Sequence, residues 1–490
     1  MTVRTGSLSP SVLPQLAGLR VLVLNWRDIR HPQAGGAEQY MHQIARRWVA
    51  AGAYVTWFTA RAAGQEPTEV IDGIRVLRSG GELSLYPRAA ARMVRGRSDV
   101  DVVVDCQNGI PFFSPLFAGA DVPIVQVVHH VHQDQFDLRF PRPIAAVGRF
   151  LEGTATRRVY GPRAVAAVSP STRQELRHRL HFRCPIHLVP NGSVAVPNLT
   201  GPRDPDPTVT VVARLVPHKR IDLLLHHLRT ATRHVPGLRI DVVGDGPERA
   251  RLQALVTDLG LQHAVTFHGY QPDDVRDSLL SRAWATTATS VAEGWGCSVI
   301  EAAAWGVPCV AMAAPGIIDS VVDGRTGWVI GPDRDFGEVL ADTLEELADE
   351  RRASAVAADC QAWARCFTWD RSAELLGGVV LGQIRSGQKG PGRGEQRYAR
   401  GDISTVAMFP SRPGADLRSG LRTTDEIVDR GGTTSLLLGG CDEFDAVAVL
   451  RRLRVPDADV RLAEPEDLLA GPGAARRLAR QFRRTSAGTA

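Results

Sequence analysis

Short, uniformly apolar runs alternate with helical patterns along most of this chain. The first run, RVLVLN at 20–25, is followed by Gly35-Gly36 and then by apolar residues at helical spacing over 37–50. Similar runs lie at 54–58, 102–104, 124–128 and 164–167. Such strands are buried on both faces of a sheet, and strands separated by helices pair in parallel. The pattern therefore predicts a doubly wound α/β domain.

The pattern ends near Pro190 and starts again near Val209, which indicates a second domain of similar build. Strand-like runs then lie at 209–212, 238–243, 265–267 and 308–312, and helical patterns at 221–232, 353–366 and 371–381. Ligands of open α/β sheets bind beyond the carboxyl ends of the strands. Two Rossmann-like domains that face each other would therefore form a cleft for a two-part substrate.

Changes in composition set the expected domain boundaries. We expect a disordered leader at 1–19, a first domain at 20–193, a proline-rich linker at 194–207, a second domain at 208–385, a flexible Gly- and Arg-rich linker at 386–405 and an extension of unassigned role at 406–490. The extension contains too few apolar residues to predict an independent core.

Composition also argues against several functional classes. No window reaches the roughly 18 apolar residues of a membrane span, and the first residues lack the features of a signal peptide, so we expect a cytosolic protein. Seven scattered cysteines show no short paired spacing, which favours buried free thiols over a zinc site. A net charge of +5 without basic stretches interleaved with aromatics does not indicate nucleic-acid binding.

The strongest chemical signal is EGWGCSVIE at 293–301, in which Glu293 and Glu301 flank a glycine-rich turn that opens a helix. The turn contains Gly294, Gly296 and Cys297. Free N–H groups at a helix N-terminus suit a phosphate, and a carboxylate on the first turns can hold a ribose diol. An ordinary turn with a capping acid is the structural alternative.

A glycosidase pair is the other interpretation of these two carboxylates. On a continuous helix, eight residues would separate them by about 12 Å. Glycosidases use roughly 5 to 9.5 Å. The spacing therefore favours a ligand clasp.

Arg214 and Lys219 follow the first strand of the second domain, where two cations can neutralise a pyrophosphate. Of 58 basic residues only Lys219 and Lys389 are lysine, so a lysine at this position favours a function over a solvated loop.

The first domain contributes Gly35-Gly36, where the backbone can approach a ligand closely, and His129, which ends the run at 124–128. His129 could hydrogen-bond a sugar hydroxyl or simply be structural. A metal site with His130 and His132 is disfavoured because no acid lies at a suitable spacing.

These motifs, in this order, resemble the retaining glycosyltransferases of the GT-B fold, family 4, over about residues 20–382. The resemblance is carried by the E-x7-E signature, the Arg and Lys pair, the glycine loop, the histidine after a strand and the GDGP turn at 244–247. Cys297 departs from the Leu or Ile that the family often has. Trp369 resembles the point where the chain returns to brace the first domain.

The resemblance implies a role for each motif. Glu301 would hold the donor ribose, Glu293 and His129 would face the donor sugar, Arg214 and Lys219 would bind the diphosphate, and Gly35 and Gly36 would pack near it. Residues 20–193 would form the acceptor side and 208–385 the nucleotide-sugar side. No metal is expected, because cations and amides would stabilise the leaving diphosphate.

The implied reaction is retaining transfer of a mannose- or glucose-type hexose from a GDP or UDP sugar to a hydroxyl acceptor, such as a cell-envelope glycolipid or polysaccharide. Two alternatives stay open. An epimerase of similar fold would convert the donor without an acceptor. A non-catalytic binding protein would have lost Glu293, Lys219 or Arg214, and all three are present.

Two basic stretches suggest contact with an anionic membrane at the inner face of the plasma membrane. On a helix over 85–97, Arg88, Arg92 and Arg95 share one face beside a weakly apolar strip of Ala89 and Met93. The second stretch contains Arg139, Arg142, Arg149, Arg157 and Arg158, interrupted by Phe140, Phe150 and Leu151. Basic amphipathic segments bind anionic bilayers. A solvated face in an arginine-rich chain is the alternative.

Overall fold

The computed structural model describes residues 11–96, 99–193 and 202–388, together with 404–412, 417–421, 425–430, 432–439, 443–455 and 457–462 of the extension. Within these ranges no helix is both long and apolar enough to cross a membrane.

The first domain is built on one sheet. Its strands are β1 (Arg20–Leu24), β2 (Tyr54–Thr59), β3 (Thr68–Ile71), β4 (Ile74–Arg78), β5 (Val102–Gln107), β6 (Ile124–Val128), β7 (Val165–Ala167) and β8 (Ile186–Leu188). Their order is β3-β4-β2-β1-β5-β6-β7-β8, and every pair is parallel except β3 with β4. The predicted parallel sheet is confirmed, whereas β3, β4 and β8 were not predicted from the sequence.

Helices cover both faces of this sheet. They are α1 (Gly36–Ala50), α2 (Leu85–Arg95), α3 (Gln133–Arg139), α4 (Arg142–Phe150), α5 (Thr156–Tyr160) and α6 (Pro170–Gln174). Successive residues of β1 point to opposite faces, so Val21 and Val23 pack with α1 whereas Leu22 and Leu24 pack with α2 and α5. A π-helical turn, Leu151–Ala155, joins α4 to α5 in one helical run.

The apolar strip that was expected beside the arginines of α2 is part of the core. Ala89 and Met93 are buried together with Leu85, at 0%, 3% and 0% exposure. The expectation of a surface strip was wrong, because α2 needs these residues to pack against the sheet.

The second domain has the same build. Its strands are β9 (Thr208–Val212), β10 (Arg239–Val243), β11 (Val265–Gly269), β12 (Thr286–Ala288), β13 (Cys309–Met312) and β14 (Gly327–Ile330). Its helices are α7 (Ile221–His234), α8 (Arg249–Asp258), α9 (Asp273–Arg282), α10 (Cys297–Ala304), α11 (Ile317–Ser320), α12 (Phe336–Glu346) and α13 (Glu350–Ala364). The strand orders are β11-β10-β9 and β12-β13-β14, and a parallel bridge between Val209 and Ala285 connects the two parts.

A long helix, α14 (Trp369–Gln388), returns from the second domain to the first. The Trp48 indole of α1 donates to the Ala373 carbonyl at 3.0 Å, and the Ser372 hydroxyl donates to the Pro190 carbonyl at 2.7 Å. A Cβ on Gly192 would lie 2.3 Å from the Trp369 nitrogen, so only glycine fits this approach. The return of the chain at Trp369 that the family resemblance implied is therefore observed.

Part of the expected leader is ordered against this helix. Leu13–Leu16 forms a 3-10 turn, Leu16 is fully buried, and the Val12 N–H donates to Glu374 Oε2 at 2.8 Å. A disordered leader is therefore wrong for residues 11–19, because Leu16 fills the space beside Gly377 and Trp48. Residues 1–10 lie outside the described residues.

The extension forms a small antiparallel sheet. Its elements are β15 (Ser404–Pro410), β16 (Glu426–Arg430), β17 (Thr433–Gly439), α15 (Glu443–Arg452) and β18 (Asp459–Leu462), with strand order β16-β17-β15-β18. Ala446 and Leu450 of α15 pack on Phe409, Leu436 and Leu438 in a separate apolar cluster. The expectation that the extension lacks a core of its own was wrong, because strand alternation gathers its few apolar residues on one face. Of the expected linker at 386–405, residues 386–388 are helical, 404–405 belong to β15, and 389–403 lie outside the described residues.

Candidate functional site

An ion pair between Lys219 and Glu293 forms the centre of the site. Lys219 ends a 3-10 turn, Pro217–Lys219, and its Nζ lies 2.5 Å from Glu293 Oε1. Burial alone would raise the pKa of Glu293, but the Lys219 ammonium outweighs burial and holds that pKa below its usual value. The pair therefore places a cation and an ionised carboxylate side by side.

Two hydrogen bonds to backbone carbonyls hold the loops that carry this pair. The Thr289 hydroxyl donates to the Lys219 carbonyl at 3.1 Å, and the Val291 N–H donates to the His218 carbonyl at 3.0 Å. The two loops that carry Lys219 and Glu293 are therefore tied together independently of their side chains.

The glycine turn after Glu293 meets the first domain directly. A Cβ on Gly294 would lie 2.3 Å from the His129 carbonyl oxygen. Gly296 has φ 90°, in the left-handed region that favours glycine, and a Cβ there would lie 2.6 Å from Ser320 Oγ. These contacts require glycine and bring the turn against the end of β6.

Helix α10 begins at Cys297 without a side-chain cap, so its first amides remain available to a ligand. The glycine loop of the first domain lies opposite, because a Cβ on Gly36 would be 3.8 Å from Cys297 Sγ. The Asn191 amide donates to the same sulfur at 3.2 Å. The structure thus brings Gly36 and the 293–301 motif together, as the family resemblance implied.

A buried carboxylate shapes the glycine loop, and sequence reasoning missed it. The Gly35 N–H donates to Glu38 Oε2 at 2.7 Å, and Arg27 Nε donates to Glu38 Oε1 at 3.2 Å. Burial raises the pKa of Glu38, and Arg27 opposes that rise. An acid three residues after a glycine N-cap is the capping-box pattern that could have identified it.

His129 is buried at the end of β6, edge-on to the Tyr40 ring with 4.9 Å between centroids. Burial lowers its pKa to about 3, so the ring is neutral near pH 7. Its Nε2 has no hydrogen-bond partner within the described part of the chain. His129 can therefore accept or donate one neutral hydrogen bond.

Two further histidines lie within electrostatic range of Glu293. Burial lowers the pKa of His130 to about 3, and burial together with Lys219 lowers the pKa of His218. Sequence reasoning did not assign either to the site, although His130 directly follows His129 and His218 directly precedes Lys219. Among the described residues, no three His, Cys, Asp or Glu side chains are grouped to hold a metal ion.

Glu301 lies inside α10 and does not join the Lys219 pair. Burial raises the pKa of its carboxyl group, and the nearby Arg276 of α9 opposes that rise. Glu293 precedes the helix, so the separation calculated for a continuous helix does not apply. The Arg214 side chain is exposed and makes no hydrogen bond with another described residue, whereas its carbonyl accepts from the Val216 N–H at 3.0 Å. The structure thus leaves Arg214 and Glu301 open to a ligand.

Two family models match this chain. The model described as glycosyl transferases group 1 matches residues 198–359, and the model described as Glycosyltransferase Family 4 matches residues 34–194.

Two curated relatives match this chain over nearly the whole of their own length. A GDP-mannose-dependent alpha-(1-6)-phosphatidylinositol monomannoside mannosyltransferase of Mycolicibacterium smegmatis is 28% identical, over 71% of this chain and 96% of that protein. A D-inositol 3-phosphate glycosyltransferase of Thermomonospora curvata is 29% identical, over 71% of this chain and 91% of that protein.

Solved structures share the fold. Sucrose-phosphate synthase from Thermosynechococcus elongatus matches with a TM-score of 0.62 at 19% identity, covering 75% of this chain and all of that one (100%). HepE of Anabaena, solved with UDP and glucose, matches with a TM-score of 0.56 at 19% identity, and the match covers 74% of this chain and 100% of that one.

Proposed function

We propose a donor, an acceptor class and a catalytic arrangement for this chain, which belongs to the group 1, family 4 glycosyltransferases and has their GT-B fold. The chain is a hexosyltransferase that uses a nucleotide sugar. The proposed reaction transfers a mannose- or glucose-type hexose from a GDP or UDP sugar to a hydroxyl of a cell-envelope glycolipid or polysaccharide. GDP-mannose is the first donor to test, because the relative that matches over 96% of its length carries it in its name.

The donor diphosphate would bind at the start of α10. Lys219 supplies a compact positive charge, Arg214 supplies a guanidinium fork, and the free amides at Cys297 supply hydrogen bonds. The ribose diol would bind the Glu301 carboxylate. These groups neutralise a diphosphate without a metal, so we propose metal-independent transfer.

Catalysis would begin when the diphosphate draws Lys219 away from Glu293. The released carboxylate would then hydrogen-bond the donor sugar, while His129 contacts a sugar hydroxyl with its unpartnered Nε2. The bond from the anomeric carbon to the phosphate oxygen breaks as the bond to the acceptor oxygen forms on the same face. The acceptor proton passes to the leaving phosphate, so the configuration is retained without an enzyme nucleophile.

The observation that carries this proposal is the convergence of Lys219, Glu293 and the α10 N-terminus from the second domain on Gly36 and His129 of the first. The test is a panel of nucleotide sugars screened for protection against thermal unfolding, followed by transfer to lipid extracts and NMR of the anomeric proton. Protection by GDP-mannose or a UDP-hexose, with retained configuration in the product, supports the proposal.

The two alternatives give different results in that experiment. An epimerase would convert the donor sugar when no acceptor is present. A non-catalytic protein would be protected by a donor and would yield neither product nor converted sugar. Inverted configuration in the product would contradict the proposed mechanism.

We also propose that the reaction takes place in the cytoplasm, at the inner face of the plasma membrane, through peripheral contact with anionic lipid. The support is the arginine content of the first domain, where the acceptor would bind.

A further inference from the structure

The segment from the end of α3 through α4 exposes four large apolar side chains. Phe140, Ile144, Val147 and Phe150 lie within eleven residues and are 39%, 56%, 58% and 52% exposed. The other exposed large apolar residues among the described residues are scattered along the chain. Single exposed apolar side chains are common, whereas a contiguous group marks an interaction surface.

Most of the exposed group lies away from the packed side of α4. Ala145 and Gly148 are buried, and a Cβ on Gly148 would lie 2.6 Å from the Phe136 ring of α3. At about 100° per residue, Val147 and Phe150 lie roughly 100–160° around the helix from Ala145 and Gly148, and Ile144 lies at the edge of the exposed surface, roughly 40° from Gly148. We call the surface of these three residues the α4 face. It is not needed to pack α4 onto the domain.

Exposed arginines flank the α4 face, while Arg149 of α4 is paired with Asp137 of α3. Arg142 and Arg158 are exposed at the two ends of the helical run from α4 to α5. The acid in this run, Glu152, is buried and accepts hydrogen bonds from the His132 N–H and the Gln133 amide. The exposed surface of the run is therefore apolar and cationic.

Helix α2 adds cations on the same side of the sheet. Leu85 and Met93 of α2 and Tyr160 of α5 pack in one apolar cluster, so both helices cover the same face. Arg88 and Arg95 are exposed on α2, and so is Val94, at 50%, whereas Leu85, Ala89 and Met93 are buried. Helix α2 can thus supply charge and one exposed apolar side chain, while most of the apolar contact comes from α4.

We propose that the α4 face inserts into the headgroup region of an anionic bilayer, while the arginines of α2, α4 and α5 bind lipid phosphates. Apolar side chains flanked by arginines are the chemistry that an anionic membrane surface binds. The inference rests on the proposed function, because a lipid acceptor would then lie beside the first domain. It assigns the apolar membrane contact mainly to α4, which exposes three large apolar side chains where α2 exposes one.

The test is co-sedimentation of the full chain with vesicles of phosphatidylcholine alone or mixed with phosphatidylglycerol, at low and high salt. The variant is Ile144→Ser/Val147→Ser/Phe150→Ser. Its matched control, Tyr270→Ser/Val275→Ser/Ile318→Ser, removes exposed apolar residues of the second domain. The wild type and the control should bind the anionic vesicles and release them at high salt. The α4 variant should bind at least about tenfold more weakly, with unchanged thermal unfolding.

Three outcomes would overturn the inference. The first is equal binding of the wild type to both kinds of vesicle, and the second is unaltered vesicle binding by the α4 variant. The third is a wild-type dimer without lipid that the α4 variant does not form, because the α4 face would then be an interface between copies of the chain. Donor protection against thermal unfolding is measured separately without lipid. If no nucleotide sugar protects the wild type, the proposed function is contradicted. Vesicle binding would still show whether the α4 face contacts a membrane.

Discussion

Lys219 Nζ lies 2.5 Å from Glu293 Oε1 at the entrance to helix α10. Both side chains are largely buried, at 22% and 17% exposure, so each compensates the other for lost hydration. A diphosphate at this position would compete with Glu293 for the Lys219 ammonium. Donor binding and release of the carboxylate would therefore be coupled events.

Lys219→Ala should weaken donor binding by roughly tenfold or more, because it removes a charge-assisted hydrogen bond worth about 1.5–3 kcal/mol. Calorimetric titration with the donor identified by the thermal screen measures the effect. Arg239→Ala is the matched control, since it breaks an exposed ion pair with Asp206 at the other end of the strands. Equal donor affinity in wild type and Lys219→Ala would remove Lys219 from the site.

Substitutions of the two motif glutamates should change different kinetic constants. Glu301→Gln should raise the donor KM, because the Glu301 carboxylate is proposed to accept both ribose hydroxyls. Glu293→Gln should mainly lower kcat, because Glu293 is proposed to act on the sugar. Steady-state kinetics with varied donor distinguishes the two effects. Wild-type kinetic constants in both variants would refute the proposed binding of the donor by Glu293 and Glu301.

Gly294→Ala should lower activity and stability together. Its Cβ would lie 2.3 Å from a backbone oxygen of His129, so the two domains must shift apart. A cost of about 1–3 kcal/mol in unfolding free energy is expected for such overpacking. Gly378→Ala in α14 is the control, because no atom lies within 4 Å of its Cβ. That helix-interior change should stabilise the protein by about 0.5–1 kcal/mol.

Acid should destabilise the protein through its buried histidines. Burial lowers the pKa of His129 to about 3, whereas the unfolded chain binds this proton below about pH 6.5. The unfolded state therefore holds more protons between these values, and stability rises with pH across that window. At pH 5 the loss is about 2 kcal/mol for His129.

Denaturant unfolding at several pH values between 5 and 7.5 tests this dependence. His129→Gln should flatten the slope, since it removes the titrating ring. His178→Gln, which replaces an exposed histidine, is the control variant. A wild-type stability that is constant over the same range would contradict the prediction.

Transfer activity should survive EDTA, because Lys219, Arg214 and the α10 amides are proposed to neutralise the leaving diphosphate. Activity is measured after chelation and again after addition of Mn²⁺ or Mg²⁺. Strict recovery by either cation would show that these groups are insufficient.

Periodicity determined most of the architecture in advance. Uniformly apolar runs predicted the central strands of both domains, because a strand covered on both faces has no polar alternation. The strands that it missed, such as β3, β8 and β12, are short or lie at an edge. The extension was misjudged for a related reason, since antiparallel strands need only alternate apolar residues to form a core such as that of Phe409 and Leu438.

The candidate site was also predicted only in part from the sequence. Glycines, charged residues and their order along the chain were sufficient to predict Glu293, Lys219 and Gly36 as site residues, because their proposed chemistry depends on residue type and local turn. The contact between Lys219 and Glu293 spans 74 positions, and the approach of Gly294 to His129 crosses the two domains. Only tertiary structure decides such pairs, and only burial decides that Ala89 and Met93 belong to the core while Ile144 and Val147 face outward.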